Sequence, residues 1–196
     1  MPSWLEGTPA DELDAGPVLL RRWRLADAEV LNRLVTDNYY HLHPWMPWAQ
    51  SHPSIGDQLM FLGRAQEAWE ERTDFGYAVT LPNAQIVGGM GLHTRQGAGT
   101  LEIGYWIGLA HTSHGYATAG SAALMEAAFA LPGVEWVEIR CDEANHASAA
   151  VPSKLGFKLV EVMARDPDTP AATGRGMIWA IGRMEHEAGR LARTGL

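Results

Sequence analysis

The segment Leu109-Ala110-His111-Thr112-Ser113-His114-Gly115-Tyr116-Ala117-Thr118 joins a strand pattern to a helix pattern, with its glycine at the turn into the helix. Amides at a helix start have no partner inside the helix and stand at the positive end of its dipole, so they suit an anion such as a pyrophosphate. An ordinary loop carries a single glycine equally well, so alone the segment is a weak signal. Two other groupings could act on a bound ligand. Asn145 stands three residues before Ser148 at the start of a short helix pattern, where both residue types commonly cap the backbone. Glu102 lies on an alternating strand, where a carboxylate is either solvated or free to accept a proton. Cys141, the single cysteine, has no internal disulfide partner and sits in an apolar strand with no histidine partner evident, so it reads as a small buried hydrophobe.

The surrounding elements must position these groups. Residues 1–16 carry Pro2, Gly7, Pro9 and Gly16 among acids and read as a flexible arm, so the folded domain spans 17–182, followed by a terminal helix and tail over 183–196. Val18-Leu19-Leu20-Arg21 reads as a strand, and Ala28, Leu31, Leu34 and Val35 have helical spacing within Ala26 to Asp37. Tyr39 to Trp48 contains two prolines and four aromatics and predicts an irregular loop. Ser54 with Asp57 predicts a capped helix through Leu59, Leu62, Ala65 and Trp69. Phe75 to Leu81, Ile86 to His93 and Leu101 to Gly108 predict an antiparallel meander. Gly115 to Ala130 is helical, Val134 to Ile139 a strand, and Ala147 to Leu155 a short helix ended by Gly156. Phe157 to Ala164 and Met177 to Ile181 are the last strands.

The length of 196 residues, the 46% apolar share and the 19% charged share describe one globular domain. A net charge of −8 without a Lys/Arg cluster excludes the electrostatic footprint of a nucleic-acid binder and favours encounter with cations such as amines. No transmembrane or signal-peptide run is visible, so neither a membrane partner nor export is expected, and the cytoplasm is the expected compartment. P-loop and dinucleotide-binding glycine motifs are missing.

Four blocks in order, Glu102-Ile103-Gly104-Tyr105-Trp106-Ile107, His114-Gly115-Tyr116-Ala117-Thr118, Glu138-Ile139-Arg140-Cys141-Asp142 with Asn145-His146-Ala147-Ser148, and Lys154-Leu155-Gly156-Phe157, resemble the GNAT superfamily of N-acetyltransferases over about Val18 to Ile181. Arg21-Arg22-Trp23, Ala26-Asp27-Ala28 and the Leu42 to Trp48 loop resemble its ribosomal-protein N-terminal acetyltransferase branch. The resemblance implies an α+β fold, a mixed but mostly antiparallel sheet of about seven strands with flanking helices, whose fourth and fifth strands splay apart. Acetyl-CoA, or another acyl-CoA, would enter that gap with its pyrophosphate on the amides of Thr112 to Thr118. Its pantetheine would pair like a strand near Ile107, where a backbone donor would meet the acyl carbonyl. No metal is implied. A neutral amine would attack the thioester, one group removing the ammonium proton and another protonating the thiolate.

Three departures bear on the chemistry. Basic residues common in the family's phosphate loop are replaced by Thr112 and Ser113 between His111 and His114, so His114 is expected to supply pH-dependent charge. The tyrosine that many relatives place seven residues after the asparagine is here Pro152, which leaves Ser148 as the expected thiolate proton donor and Asn145 as a pantetheine or backbone anchor. Pro152 also frees the carbonyl of Ser148 and predicts a kink. Gly120 stands where relatives often carry glutamate, which suggests close packing or ligand approach. For the base, Glu102 is the first candidate, with Asp142, Asp166 and His93 behind it.

Tyr39, Tyr40, Trp45, Met46 and Trp48 stand where relatives wall the acceptor groove, and with His93 they are the expected contacts for a small-molecule or peptide amine, against core packing as the plainer role. Acetyl is favoured over succinyl or longer donors, which would need a roomier or more cationic pocket. A non-catalytic acyl-CoA sensor is the rival of a different class, motivated by Pro152 and the non-basic loop. Relatives and the surplus aromatics also raise a homodimer as an expectation.

Overall fold

Alternation along the middle of the chain produces the expected meander in the computed structural model, which describes residues 4–194. Strands β1 (Glu12–Asp14), β2 (Leu19–Arg22), β3 (Asp74–Thr80), β4 (Ile86–His93), β5 (Thr100–Ile107), β6 (Trp136–Asp142), β7 (Lys158–Ala164) and β8 (Arg175–Gly182) form one sheet in the order β1-β2-β3-β4-β5-β6-β8-β7. Every pairing is antiparallel except β5 with β6. The helices are α1 (Ala28–Asp37), α2 (Tyr39–Leu42), α3 (Ile55–Glu70), α4 (Tyr116–Phe129), α5 (His146–Lys154) and α6 (Arg183–Thr194).

The two faces of the sheet bury different residues, as a period of two requires. On one face Phe75, Tyr77, Val79, Leu92, Leu101 and Ile103 pack with Leu124 and Ala128 of α4. On the other, Ala78 lies among Trp23, Leu31, Val35 and Leu62, beneath α1 and α3. The start of α3 is fixed as its sequence predicts: the Asp57 amide donates to Ser54 Oγ at 3.1 Å, and the Ser54 amide donates to the Asp57 carboxylate at 2.8 Å.

The mixed, mostly antiparallel sheet agrees with the expectation, while the arm and the aromatic segment need correction. The sheet has eight strands, because Glu12–Asp14 adds one at the edge beside β2. The expected arm is therefore structured where it is described: Leu5 is 2% exposed in the core, and Tyr77 donates its hydroxyl to the Ala10 carbonyl at 2.8 Å. Residues 1–3 of that arm and 195–196 of the expected tail lie outside the described residues. The aromatic segment after α1 is not wholly irregular, since Tyr39–Leu42 forms the single turn α2, whose Leu42 is buried. Gly120 is a packing glycine: a Cβ there would stand 2.3 Å from Met90 Sδ, so α4 lies directly on β4.

Candidate active site

The parallel pairing of β5 with β6 covers only Thr100, Leu101 and Glu102 against Trp136, Val137 and Glu138. Beyond it, β5 continues along β4 to Ile107 and β6 continues along β8 to Asp142, so the facing edges separate. This opens the split that the strand pattern alone could not show. Tyr105 spans it, donating its hydroxyl to the Ser148 carbonyl at 2.9 Å and lying 3.0 Å from Ser148 Oγ. The carbonyl it meets is the one Pro152 leaves without a helical donor, and α5 runs through Pro152 as one element. Asn145 Oδ1 accepts from the Ser148 amide at 3.0 Å, so Asn145 acts as the helix cap.

Burial raises both neighbouring weak acids. It pushes the Tyr105 hydroxyl well above its ordinary range, against a hydrogen bond with Ser148 that lowers it. It pushes up the Cys141 thiol as well, where a bond to Ser148 opposes and the charge of Asp142 assists. Cys141 is half-buried beside Ser148, less enclosed than its apolar strand suggested.

At the open end of the split, a short turn over Leu109–His111 leads to Ser113, with φ 63°, and Gly115, with φ 79°, before α4 begins. Two left-handed residues flanking His114 turn the chain sharply into α4. Among the described residues, none of the amides from Ser113 to Thr118 donates to a backbone carbonyl, and the first helical bond runs from Ala119 to the Gly115 carbonyl at 2.9 Å. The Thr112 amide is already spent on Leu109 at 3.2 Å, which trims the expected cradle by one donor. His114 folds back, with Nδ1 2.7 Å from the Thr112 carbonyl and its ring stacked on Tyr116, while His111 faces Gln85. The Ile107 carbonyl at the end of β5 is 3.2 Å from His41 Nε2, and the Leu109 amide donates to Asn38 Oδ1 at 2.7 Å. Helix α2 and the end of α1 thereby hold this edge in place.

The opposite face of β5 carries the candidates for the base. The Glu102 carboxylate accepts from Arg95 Nε at 2.9 Å and also takes bonds from Arg95 Nη2 and Gln96. Burial alone would raise its pKa, but the Arg95 bond and charge, with Gln96, hold it below the usual carboxylate range. A carboxylate so satisfied is a poor proton acceptor, which argues against the first-choice base. Asp142 is likewise engaged, by the amides of Ala144 and Thr173 and by the Thr173 hydroxyl, and Asp166 is exposed in the loop after β7. His93 differs: Nδ1 lies 2.6 Å from Asp74 Oδ2, and the ring extends over Gly104.

The aromatic candidates divide. Trp48 is 52% exposed and tilts against Trp106 at 5.7 Å, on the same face as His93. Trp45 is half-buried, and Met46 packs on the core below α1 and α3. Tyr39 stacks on His43 and His52 and donates to the Gln50 carbonyl, so it braces the loop, whereas Tyr40 is 86% exposed. Sequence reasoning missed Tyr105, Asp74, His41 and Asn38. Tyr105 lay inside the Glu102 to Ile107 block and His41 inside the Tyr39 to Trp48 segment, but the partners of both lie far away in sequence.

A family model described as an acetyltransferase (GNAT) domain matches residues 18–158. No curated protein matches the chain. Mycobacterium smegmatis RimJ, solved in complex with CoA-disulfide, is 24% identical with a TM-score of 0.80, over 100% of this chain and 98% of that one. RimL, named as a ribosomal alpha-N-protein acetyltransferase and solved with coenzyme A, is 19% identical with a TM-score of 0.79, over 87% and 97%. The microcin self-immunity acetyltransferase MccE, solved with acetyl-CoA and AMP, is 20% identical with a TM-score of 0.78, over 85% and 93%.

Proposed function

The chain belongs to the GNAT acetyltransferase family, and from that premise we propose that it moves an acetyl group from acetyl-CoA to a primary amine, with a protein α-amine favoured among acceptors. One observation carries this reading: the split between β5 and β6 opens beside a turn whose amides from Ser113 to Thr118 have no backbone partner. A diphosphate on those amides would direct a pantetheine chain along the free edge of β5, where strand-like pairing and a backbone donor can hold the thioester. RimJ, RimL and MccE, each solved with coenzyme A or an acyl form, support the donor, and the naming of RimL supports the α-amine.

Ser148 is the proposed proton donor to the departing sulfur. Its Oγ lies 3.0 Å from the Tyr105 hydroxyl, which can resupply a proton, and the carbonyl bond fixes the tyrosine in place. Asn145 acts through Ser148 by holding the first turn of α5. His114 adds charge near the phosphates when protonated, since Nδ1 is turned to the Thr112 carbonyl and Nε2 is left for the second proton. The single cysteine and the acidic composition go with a cytoplasmic setting. Among the described residues no helix is long and apolar enough to cross a membrane.

The test is calorimetry with coenzyme A and acetyl-CoA, followed by thiol release and mass spectrometry with an amine panel that includes peptides with free amino termini. Binding plus acetylated product is the expected outcome. Binding without turnover of any amine would leave a sensor, and no binding would remove the reading altogether.

A further inference from the structure

Three rows of residues cross β3, β4 and β5 on the face beneath α1 and α3. Asp74, His93 and Glu102 are in register, as are Gly76, Gly91 and Gly104, and then Ala78, Gly89 and Trp106. The central row has no side chains of its own, and neighbouring rings fill the room: Trp23 lies over Gly76 and His93 over Gly91 and Gly104. Gly104 lies two residues past Glu102, the last residue of β5 paired with β6. The His93 ring therefore stands at the inner end of the split.

His93 reaches over that point. A Cβ on Gly104 would stand 2.7 Å from His93 Nε2, and one on Gly91 would stand 3.4 Å from its Cε1, so the ring lies flat on the backbone where the glycines leave room. With Nδ1 held at 2.6 Å by Asp74, Nε2 is the nitrogen left to take a proton. The side chain is 21% exposed and that of Asp74 42% exposed. The charged groups facing the ring are Asp74 from β3, Glu102 from β5, and Arg95, which follows β4 and is paired to Glu102.

We propose that His93 is the general base of the transfer, that Asp74 positions it, and that the acceptor amine meets its Nε2 beside Gly104, at the inner end of the split. This rests on the acetyltransferase reading above and adds its missing base. The ammonium gives its first proton to His93 Nε2, which passes it to solvent. The freed lone pair forms the C–N bond at the thioester carbon, the C–S bond breaks with its electrons on sulfur, and the nitrogen loses its second proton as sulfur gains one through Ser148. Atoms and charge balance without a further reactant. Trp106, two residues beyond Gly104 on the same face of β5, and Trp48, with rings 5.7 Å apart, flank that point on the side away from Glu102.

The experiment is the pH dependence of kcat/KM for an alanine-ended tripeptide with a free amino terminus at saturating acetyl-CoA, in the wild type, His93→Gln and Asp74→Asn, with acetyl-CoA affinity measured by calorimetry in each. A general base contributes about 10²–10⁴-fold, so His93→Gln should lose roughly that factor, lose the acidic limb of the profile and keep its acetyl-CoA affinity. Asp74→Asn should move the acidic limb to lower pH, because the carboxylate that favours the imidazolium is gone. A His93→Gln profile parallel to wild type, or an unmoved limb in Asp74→Asn, overturns the assignment while leaving the transferase reading intact. Wild-type protein that binds acetyl-CoA but acetylates neither the tripeptide nor the amine panel overturns both.

Discussion

The Tyr105 hydroxyl occupies the carbonyl of Ser148 that Pro152 strips of its helical donor, and in doing so comes within 3.0 Å of the Ser148 hydroxyl. The proline at the expected tyrosine position and the tyrosine on β5 therefore compensate each other. Ser148→Ala should lower kcat by about 10-fold or more with little change in acetyl-CoA affinity, as expected for a group that acts in the chemical step. Tyr105→Phe should lower kcat less and cost about 1 kcal/mol of stability, because a partly buried carbonyl loses its partner. Steady-state kinetics and urea unfolding check the pair.

Gly115 carries φ 79° with nothing within 4 Å of the place a Cβ would take. Gly115→Ala is thus strained by backbone conformation alone, by about 1–2 kcal/mol. The expected outcome is a higher KM for acetyl-CoA from a displaced set of amides, with kcat at saturation largely retained. Kinetics at varied acetyl-CoA separate the two parameters.

His114 braces the same turn, with Nδ1 2.7 Å from the Thr112 carbonyl and its ring stacked on Tyr116. His114→Gln should weaken acetyl-CoA binding while leaving kcat at saturation largely intact. Calorimetric titration and steady-state kinetics of both proteins are the measurements.

The Arg95 pair with Glu102 sets part of the acid limit of stability. Because the folded carboxyl is held below its ordinary pKa, its contribution is complete above the unfolded value and is lost as pH falls through the folded one. Arg95→Ala should destabilise the protein by about 1–3 kcal/mol at neutral pH, since it leaves a buried carboxylate short of donors. The loss should shrink below about pH 4, where unfolded carboxyls are protonated. Thermal unfolding across the acid range tests both parts.

Gly120→Ala should destabilise by about 1–3 kcal/mol, because the new methyl meets Met90 Sδ. Met90→Ala in the same chain should recover part of that loss by removing the obstacle. A double-mutant cycle in urea measures the coupling.

The strands of the meander were legible because their apolar residues alternate, and the Ser54 cap because it is local. Strand β1 was not, since Leu13 is the only apolar residue of its three and both neighbours are acidic. The cradle was legible because it depends on backbone amides and one glycine, features written within a few residues. The Tyr105 contact joins positions 43 residues apart across a split whose angle no local pattern encodes. Asp74 and His93 meet only once β3 and β4 are placed in register, and Glu102 read as the first candidate for the base because its Arg95 partner lies beyond the turn that precedes β5. Groups fixed by neighbours in sequence could be read, and groups fixed by neighbours in space could not.

Among the described residues, three rungs of paired residues join β1–β5 to β6–β8 within the sheet. On the proposed binding mode, a strand-like cosubstrate in that seam would supply the stitches the polypeptide omits. Donor and spent thiol would then share one grip, so free coenzyme should compete with fresh donor, and either should protect the protein against heat.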